Sequence, residues 1–243
     1  MNQQIKLKNT KVKGTFKSHL LELRGRFLFY ILVLLGGSTA GYFVRDQILN
    51  ILVKPLGGPL YFSSPSGGFE LVIKVSIFFG FIVSLPIFIY QFSKFIQPAF
   101  LKNFPNSLLP VLLESFVLLL LGMGFAYFIS LPKALEFLNT FTTSDVSPLI
   151  STNEYFSFAS RYIFGFGLIF QMPLVMYLIN TIHKISVSQL MKYQKYIITF
   201  SFVVAAILTP TPDFFNQIIM ALPIIMLYQI TLIMLWIINA KKY

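Results

Sequence analysis

Apolar residues along this chain fall in long blocks, separated by short stretches that hold most of the charge. Blocks at 27–44, 70–95, 108–131, 156–182, 196–208 and 214–238 predict six membrane-spanning helices. A crossing needs about 20 apolar residues for about 30 Å of hydrocarbon. Six crossings with short connections use up the 243 residues, so the pattern predicts one integral membrane domain, 1–243, entered through a basic amphipathic arm at 1–26. The fifth block holds only about 13 apolar residues, roughly 20 Å of helix, which is short for a bilayer. Thr209-Pro210-Thr211-Pro212-Asp213 follows at once, with two prolines that stop the helix and Asp213 placed to cap the next one. The fifth and sixth helices are therefore expected to form a short hairpin. Pro86, Pro98, Pro110, Pro173 and Pro223 lie in or near the predicted helices, where each removes a backbone donor and bends the chain. Bent helices favour a cupped bundle, although proline is also ordinary in membrane helices whose neighbours satisfy the freed carbonyls. No repeat of 20–50 residues is visible, which argues against an inverted-repeat transporter.

Composition agrees with this reading: 56% of residues are hydrophobic and 11% charged, with a mean hydropathy of +0.76, far outside the soluble range. The net charge of +11 raises the question of nucleic acid, but in a membrane protein the placement of Lys and Arg decides. Residues 1–26 carry seven of them, with Lys94 and Lys102, then Lys184, Lys192 and Lys195, then Lys241 and Lys242 in alternate connections. The other connections hold few: Arg45, Lys54 and Lys133, with Lys74 and Arg161 near helix ends, where long side chains reach the interface. Both termini are thus expected on the cytoplasmic, matrix or stromal side. Residues 1–17 lack the Arg and Ser of a transit peptide and run into a helix too long for a signal sequence, so they read as part of the mature chain.

The absence of Cys excludes disulfides, thiol catalysis and Cys-ligated metals. His19 and His183 are the two histidines, and no Ser-His-Asp order, carboxylate pair or phosphate loop is present. A chemical enzyme is not expected, nor a cofactor or metal. The polar residues inside the apolar blocks are more informative. Glu22, in Ser18-His19-Leu20-Leu21-Glu22-Leu23-Arg24-Gly25-Arg26, is the one acid among the first 45 residues, and its simplest role is an i,i+4 pair with Arg26. Glu114 lies inside the third block, where an ionisable group is a functional candidate by default, though one near a helix end can reach headgroups. Gln171 and Pro173 stand in Ile-Phe-Gln-Met-Pro-Leu-Val, an amide and a helix breaker in the middle of the fourth block. Trp236 reads as an interface anchor.

The segments SHLLELRGRF, KVSIFFGFIVSLPIFIYQFSKFIQPAF, GMGFAYFISLPKALEFL, FGFGLIFQMPLV and LTPTPDFFNQIIMALPIIMLYQI, in this order, resemble the TatC family, the multispanning subunit of the twin-arginine protein translocase. The resemblance covers 18–238 and implies a six-helix cupped bundle. It also implies a receptor that binds the paired arginines of signal peptides and supports proton-motive-force-driven export of folded proteins. The partners it implies are small single-span subunits of the TatA and TatB type, twin-arginine signal peptides, further copies of itself and membrane lipid. Matched to the family pattern, Glu22 and Arg24 fall in the signal-peptide arm, and Phe95, Pro98 and Ala99 in the aromatic-then-proline turn after the second span. Pro55 falls after the first span and Asp213 at the start of the last helix.

Three positions depart from the pattern. Phe104 stands where a second signal-peptide Glu is usual, Gln171 where the fourth helix carries an acid, and Gln229 where an acid often occurs late in the last helix. Glu22, Arg24, Phe95 and Phe104 are thus the expected signal-peptide positions. Gln171, Pro173, Gln229 and Glu114 are the expected intramembrane polar or partner contacts. Two other classes share the size and hydropathy: the proton-channel subunit of a rotary ATPase, which needs a mid-membrane arginine, and a YidC-type membrane insertase, which needs a basic groove and usually fewer spans. Abundant Phe, Ile, Lys and Asn would suit a mitochondrial inner membrane, a plastid thylakoid or a bacterial cytoplasmic membrane.

Overall fold

The computed structural model describes residues 16–96, 108–140, 149–182, 186–208 and 214–240. These residues are almost wholly helical: α1 Phe16–Phe43, α2 Arg45–Val53, α3 Gly67–Ile96, α4 Leu109–Phe125, α5 Leu131–Asn139, α6 Thr152–Ile169, α7 Met172–Ile182, α8 Val187–Leu208 and α9 Phe214–Ala240. Five stretches are long and apolar enough to cross a membrane: Leu23–Phe43, Gly67–Phe95, Leu109–Asn139, Thr152–Thr181 and Gln217–Asn239. Their outward faces carry Leu32, Phe43, Phe81, Leu120, Phe128 and Ile230, all exposed. A continuous apolar surface of this kind suits hydrocarbon rather than water.

The helix expected to be short is not. Residues 196–208 are the second half of α8, a 22-residue helix of about 33 Å. Hydropathy marks only the apolar part of a helix, and Gln189, Lys192, Gln194 and Lys195 in the first half are good helix formers that hydropathy ignores. The start is fixed by a capping box: the Gln189 amide N–H donates to Ser186 Oγ at 3.2 Å, and the Ser186 N–H donates to Gln189 Oε1 at 3.3 Å. The cap expected at Asp213 lies outside the described residues.

Prolines shape two of the crossings. α4 and α5 join through a π-turn, Ala126–Ser130, in which the Leu131 N–H reaches back to the Ala126 carbonyl. Pro132 follows at once, without an N–H of its own, and widening the preceding turn relieves its ring from the helix behind it. α6 and α7 are divided at Phe170 and Gln171. There the Gln171 N–H bonds the Leu168 carbonyl at 3.0 Å, a tightened turn, and Pro173 then restarts the helix.

Packing is closest between α1 and α3. A Cβ built on Gly41 would lie 2.8 Å from Phe79 Cβ and 2.9 Å from the Ser76 carbonyl oxygen, and one on Gly80 would meet Leu34 O at 2.8 Å. Only the missing side chains let the two backbones approach this far. At the end of the bundle away from the arm, the end of α2 and the 54–66 connection are pinned onto the start of α6. The Thr152 N–H donates to the Tyr61 carbonyl at 2.8 Å, the Ser63 hydroxyl to Ser151 Oγ at 2.6 Å, and the Tyr155 hydroxyl to the Leu52 carbonyl at 2.7 Å. Pro55 sits in a single 3-10 turn, Lys54–Leu56, closed by Gly57 at φ 68°. That left-handed conformation is open to glycine and strained for most other residues.

Candidate functional site

Two groups of the expected residues occupy separate places in the fold. The first is at the arm end. There α1 lies against the C-terminal turns of α3, and Arg26 ties them together: Nη1 donates to Gln91 Oε1 at 3.1 Å and Nη2 to the Lys94 carbonyl at 3.5 Å. A carbonyl near a helix C-terminus carries partial negative charge, which favours a guanidinium there. Beside this contact is a small cleft of about 70 Å³ walled by Leu23, Phe27, Tyr30, Phe88, Phe92 and Phe95. Its aromatic wall is ordered by ring packing, Tyr30 on Phe88 edge-to-face at 5.1 Å and Phe88 on Phe92 stacked at 6.2 Å. Phe95 is half-buried in this wall and Arg24 is exposed nearby on α1. Glu22 lies on α1 two residues before Arg24, but its side chain is outside the described residues, as are Pro98, Ala99 and Phe104. Gln91 was not among the expected residues. An amide one turn before Lys94 in an apolar run is the signal that could have drawn attention to it.

The second group is at mid-bundle. Gln171 is 3% exposed, at the break between α6 and α7. Its Oε1 accepts from the Ser115 hydroxyl at 2.8 Å, and its Nε2 donates to the Ser115 carbonyl at 3.1 Å and the Gly167 carbonyl at 3.4 Å. Ser115 is fully buried on α4. The pair is a reciprocal clamp that uses the amide at both ends, as a buried polar group in an apolar setting requires. Above it, α4 and α6 interdigitate. The Leu119 side chain occupies the space left by Gly167, and Gly122 sits under the Phe166 carbonyl and the Phe170 ring. The buried positions Val111, Ser115, Leu119 and Gly122 recur every three or four residues, so they form one stripe on α4. Glu114, one residue from Ser115, is exposed on a different face.

Gln229 belongs to neither group. It is half-buried in a groove of about 310 Å³ between α8 and α9, with Gln194, Met191 and Trp236. Two further polar ties were not legible as such in the sequence: the Tyr228 hydroxyl donates to the Leu190 carbonyl at 2.7 Å, and Asn180 Nδ2 to Asn239 Oδ1 at 3.2 Å. They hold α9 to α8 and to α7. Lys74, expected to reach the interface, pairs with Glu70 at 2.6 Å. Among the described residues, no group of His, Asp and Glu could hold a metal ion.

Long apolar helices, lipid-suited outer faces and polar groups satisfied within the bundle define an integral membrane protein of the helical, multispanning class. The family described as TatC, Sec-independent protein translocase protein, matches residues 18–223, and the chain belongs to that family. It is 36% identical over 231 residues to the Sec-independent protein translocase protein TatC of Aquifex aeolicus, covering 92% of this chain and 95% of that one. It is 34% identical to a tatC-like protein of Gracilaria tenuistipitata var. liui, over 98% of this chain and all of the relative. A crystal structure described as the twin arginine translocase receptor TatC superposes with a TM-score of 0.79 at 36% identity, covering 90% of this chain and 98% of that one.

Proposed function

We propose that this protein is the receptor and core subunit of a twin-arginine translocase. In this reading it binds twin-arginine signal peptides at the arm end of the bundle and, with small single-span subunits, supports export of folded proteins driven by the proton-motive force. The observation that carries the reading is the docking of α1 on α3 through Arg26, Gln91 and Lys94. It puts the Glu22–Arg24 stretch of α1 at the same end as the aromatic cleft that holds Phe95. A signal peptide has basic residues followed by an apolar stretch, and an acid in the stretch of α1 that shares an end of the bundle with an aromatic cleft suits both.

This reading also has six crossings, the apolar half of α8 being the fifth, with both termini on the side where cargo arrives. Single-cysteine labels at Gly14 and Lys242 are expected to react from one face of the membrane and a label at Ser64 from the other. Termini on opposite faces would remove the six-crossing arrangement.

Two arginines are met most strongly by two carboxylates, since charge-assisted contacts contribute about 1.5–3 kcal/mol each. Here Glu22 is the one acid at the two signal-peptide positions where the family usually has a carboxylate, and Phe104 stands at the other. An aromatic face contributes about 0.5–2 kcal/mol to a cation and is less selective in geometry. Replacing one signal arginine by lysine should therefore weaken binding less here than in a two-carboxylate relative, and Glu22→Gln should weaken it more. The measurement is crosslinking from Leu23 and Phe95 to RR, KR and RK signal peptides, with wild type and Glu22→Gln. No crosslink to an RR peptide, or undiminished crosslinking in Glu22→Gln, would place recognition elsewhere.

A further inference from the structure

The outer surface between α1 and α3 carries a groove of about 540 Å³ that neither the arm-end cleft nor the Gln171 clamp uses. Its walls are Leu35 and Tyr42 from α1 and Phe69, Ile73 and Ile77 from α3, with Arg45 at one end. From Leu35 to Arg45 it follows α1 for about 15 Å. Both walls belong to stretches apolar enough to cross a membrane, Leu23–Phe43 and Gly67–Phe95, and Arg45 lies just past the end of the first. The groove thus runs from within the hydrocarbon to the interface, on the end of the bundle away from the basic arm.

The polar atoms along it ask for no ligand in the apolar part. The hydroxyls of Ser38, Thr39 and Ser76 each donate to a carbonyl of their own helix, at 2.8, 2.9 and 2.7 Å. At the interface end the situation differs. The Arg45 guanidinium is held in place by a 3.0 Å bond from Nη1 to the Tyr42 carbonyl and lies 4.6 Å from the Tyr42 ring centroid. Its nearest carboxylate, Asp46, is a distant 3.7 Å partner on Nε, with its own side chain 76% exposed. The Nη2 edge has no partner among the described residues. An oriented cation with free donors at the mouth of an apolar groove, at interface depth, is complementary to a phosphate carrying a long alkyl chain.

We propose that this groove binds one glycerophospholipid, with an acyl chain along Leu35–Ile77 and its phosphate on Arg45. The volume lies within the usual range of about 300–1,000 Å³ for small-molecule sites. The bond to the Tyr42 carbonyl also caps the end of α1, so a purely structural role for Arg45 must be separated from lipid binding.

The test uses the full-length protein, delipidated in detergent, with thermal melting followed as lipid is titrated. Phosphatidylglycerol and phosphatidylcholine are expected to raise the melting temperature saturably; diacylglycerol of the same chains and inorganic phosphate are expected to do so far less. Arg45→Gln should weaken the apparent affinity for phosphatidylglycerol roughly five- to tenfold, and Ile73→Trp, which fills the groove from an exposed position, should remove saturable binding. If Arg45→Gln lowered the melting temperature by the same amount at every lipid concentration, with the lipid midpoint unmoved, Arg45 would be a helix cap only and the proposal would fail. A photocrosslinker at Ile73 in native membranes should add the mass of a lipid. A crosslink to a protein there would show that the groove seats a helix, and would overturn it.

Discussion

Gly122→Leu is expected to be strongly destabilising, while Gly124→Ala, two residues away on the same helix, should be nearly silent. A Cβ at Gly122 would lie 2.6 Å from the Phe166 carbonyl oxygen and 2.9 Å from Phe170 Cβ and Cγ, whereas nothing stands within 4 Å of one at Gly124. The first obstruction is backbone, so rotamer changes cannot relieve it and α4 must move away from α6. That movement also withdraws Leu119 from Gly167 and stretches the Ser115–Gln171 clamp. Overpacking usually costs about 1–3 kcal/mol, and a leucine against fixed backbone with two dependent contacts belongs at or beyond the top of that range. A loss of 3 kcal/mol corresponds to a fall of about 6–12 °C in melting temperature for a protein of this size. Gly124→Ala gains helix propensity and meets no atom, so its melting temperature should equal or slightly exceed wild type. Thermal melting of the detergent-solubilised protein checks both. A Gly122→Leu protein that melts with wild type would mean that α4 and α6 are not packed as described.

The contrast between these glycines shows what the sequence could and could not convey. That the third and fourth apolar blocks are helices was readable from length and hydropathy alone, and so was the interruption at Pro173; the third block was ended at 131, whereas its helix continues past Pro132 to Asn139. Which glycine on α4 faces a neighbour was not, because both lie in an unbroken apolar run, Leu118–Phe125, that carries no amphipathic signal. In a membrane helix lipid is as apolar as the core, so the hydrophobic pattern that orients soluble helices is absent. α8 illustrates a different limit. Its apolar half was visible, but its first turns are polar, and the start was recorded instead in Ser186 and Gln189, a capping pattern independent of hydropathy.

The candidate sites were legible unevenly, again for physical reasons. Gln171 stood out as an amide in an apolar block, but its partner did not. Ser and Thr in helices commonly bond a carbonyl one turn back, as Ser93, Ser201 and Thr231 do here. Nothing local distinguishes Ser115 from these, and the pairing exists only because α4 and α6 cross at that height. Glu114, the more conspicuous residue in sequence, lies one position round the helix from Ser115 and faces outward. At the arm end, Arg26 was expected to look along its own helix to Glu22, and the contact that docks the arm, with Gln91, crosses 65 residues of chain.

Replacing the clamp residues one at a time and together should separate packing from polarity at Gln171. Gln171→Leu keeps the volume but takes the acceptor from the Ser115 hydroxyl and the side-chain donor from the Ser115 and Gly167 carbonyls. Loss of buried hydrogen bonds with one partner left behind costs about 1–3 kcal/mol. Ser115→Ala strands the amide oxygen and should cost a similar amount. The Ser115→Ala/Gln171→Leu double variant removes both partners, so it should be less destabilised than the sum of the singles, with a coupling of about 0.5–3 kcal/mol. Gln171→Glu can rebuild the clamp only as the neutral acid, which accepts through one oxygen and donates through the other, and burying the anion at that depth is strongly unfavourable. Its melting temperature should therefore approach wild type in acid and fall as the pH rises, while wild type, with an amide, shows no such dependence from this position. Transport by Gln171→Leu reports on a separate matter. If Gln171 acts as a polar contact for a partner, the clamp must open to reach it, and Gln171→Leu should lose transport even where its folded fraction is restored by lower temperature. Additive single and double variants would show that Ser115 and Gln171 are not coupled. Full transport by Gln171→Leu at the lower temperature would show that the amide serves the bundle alone.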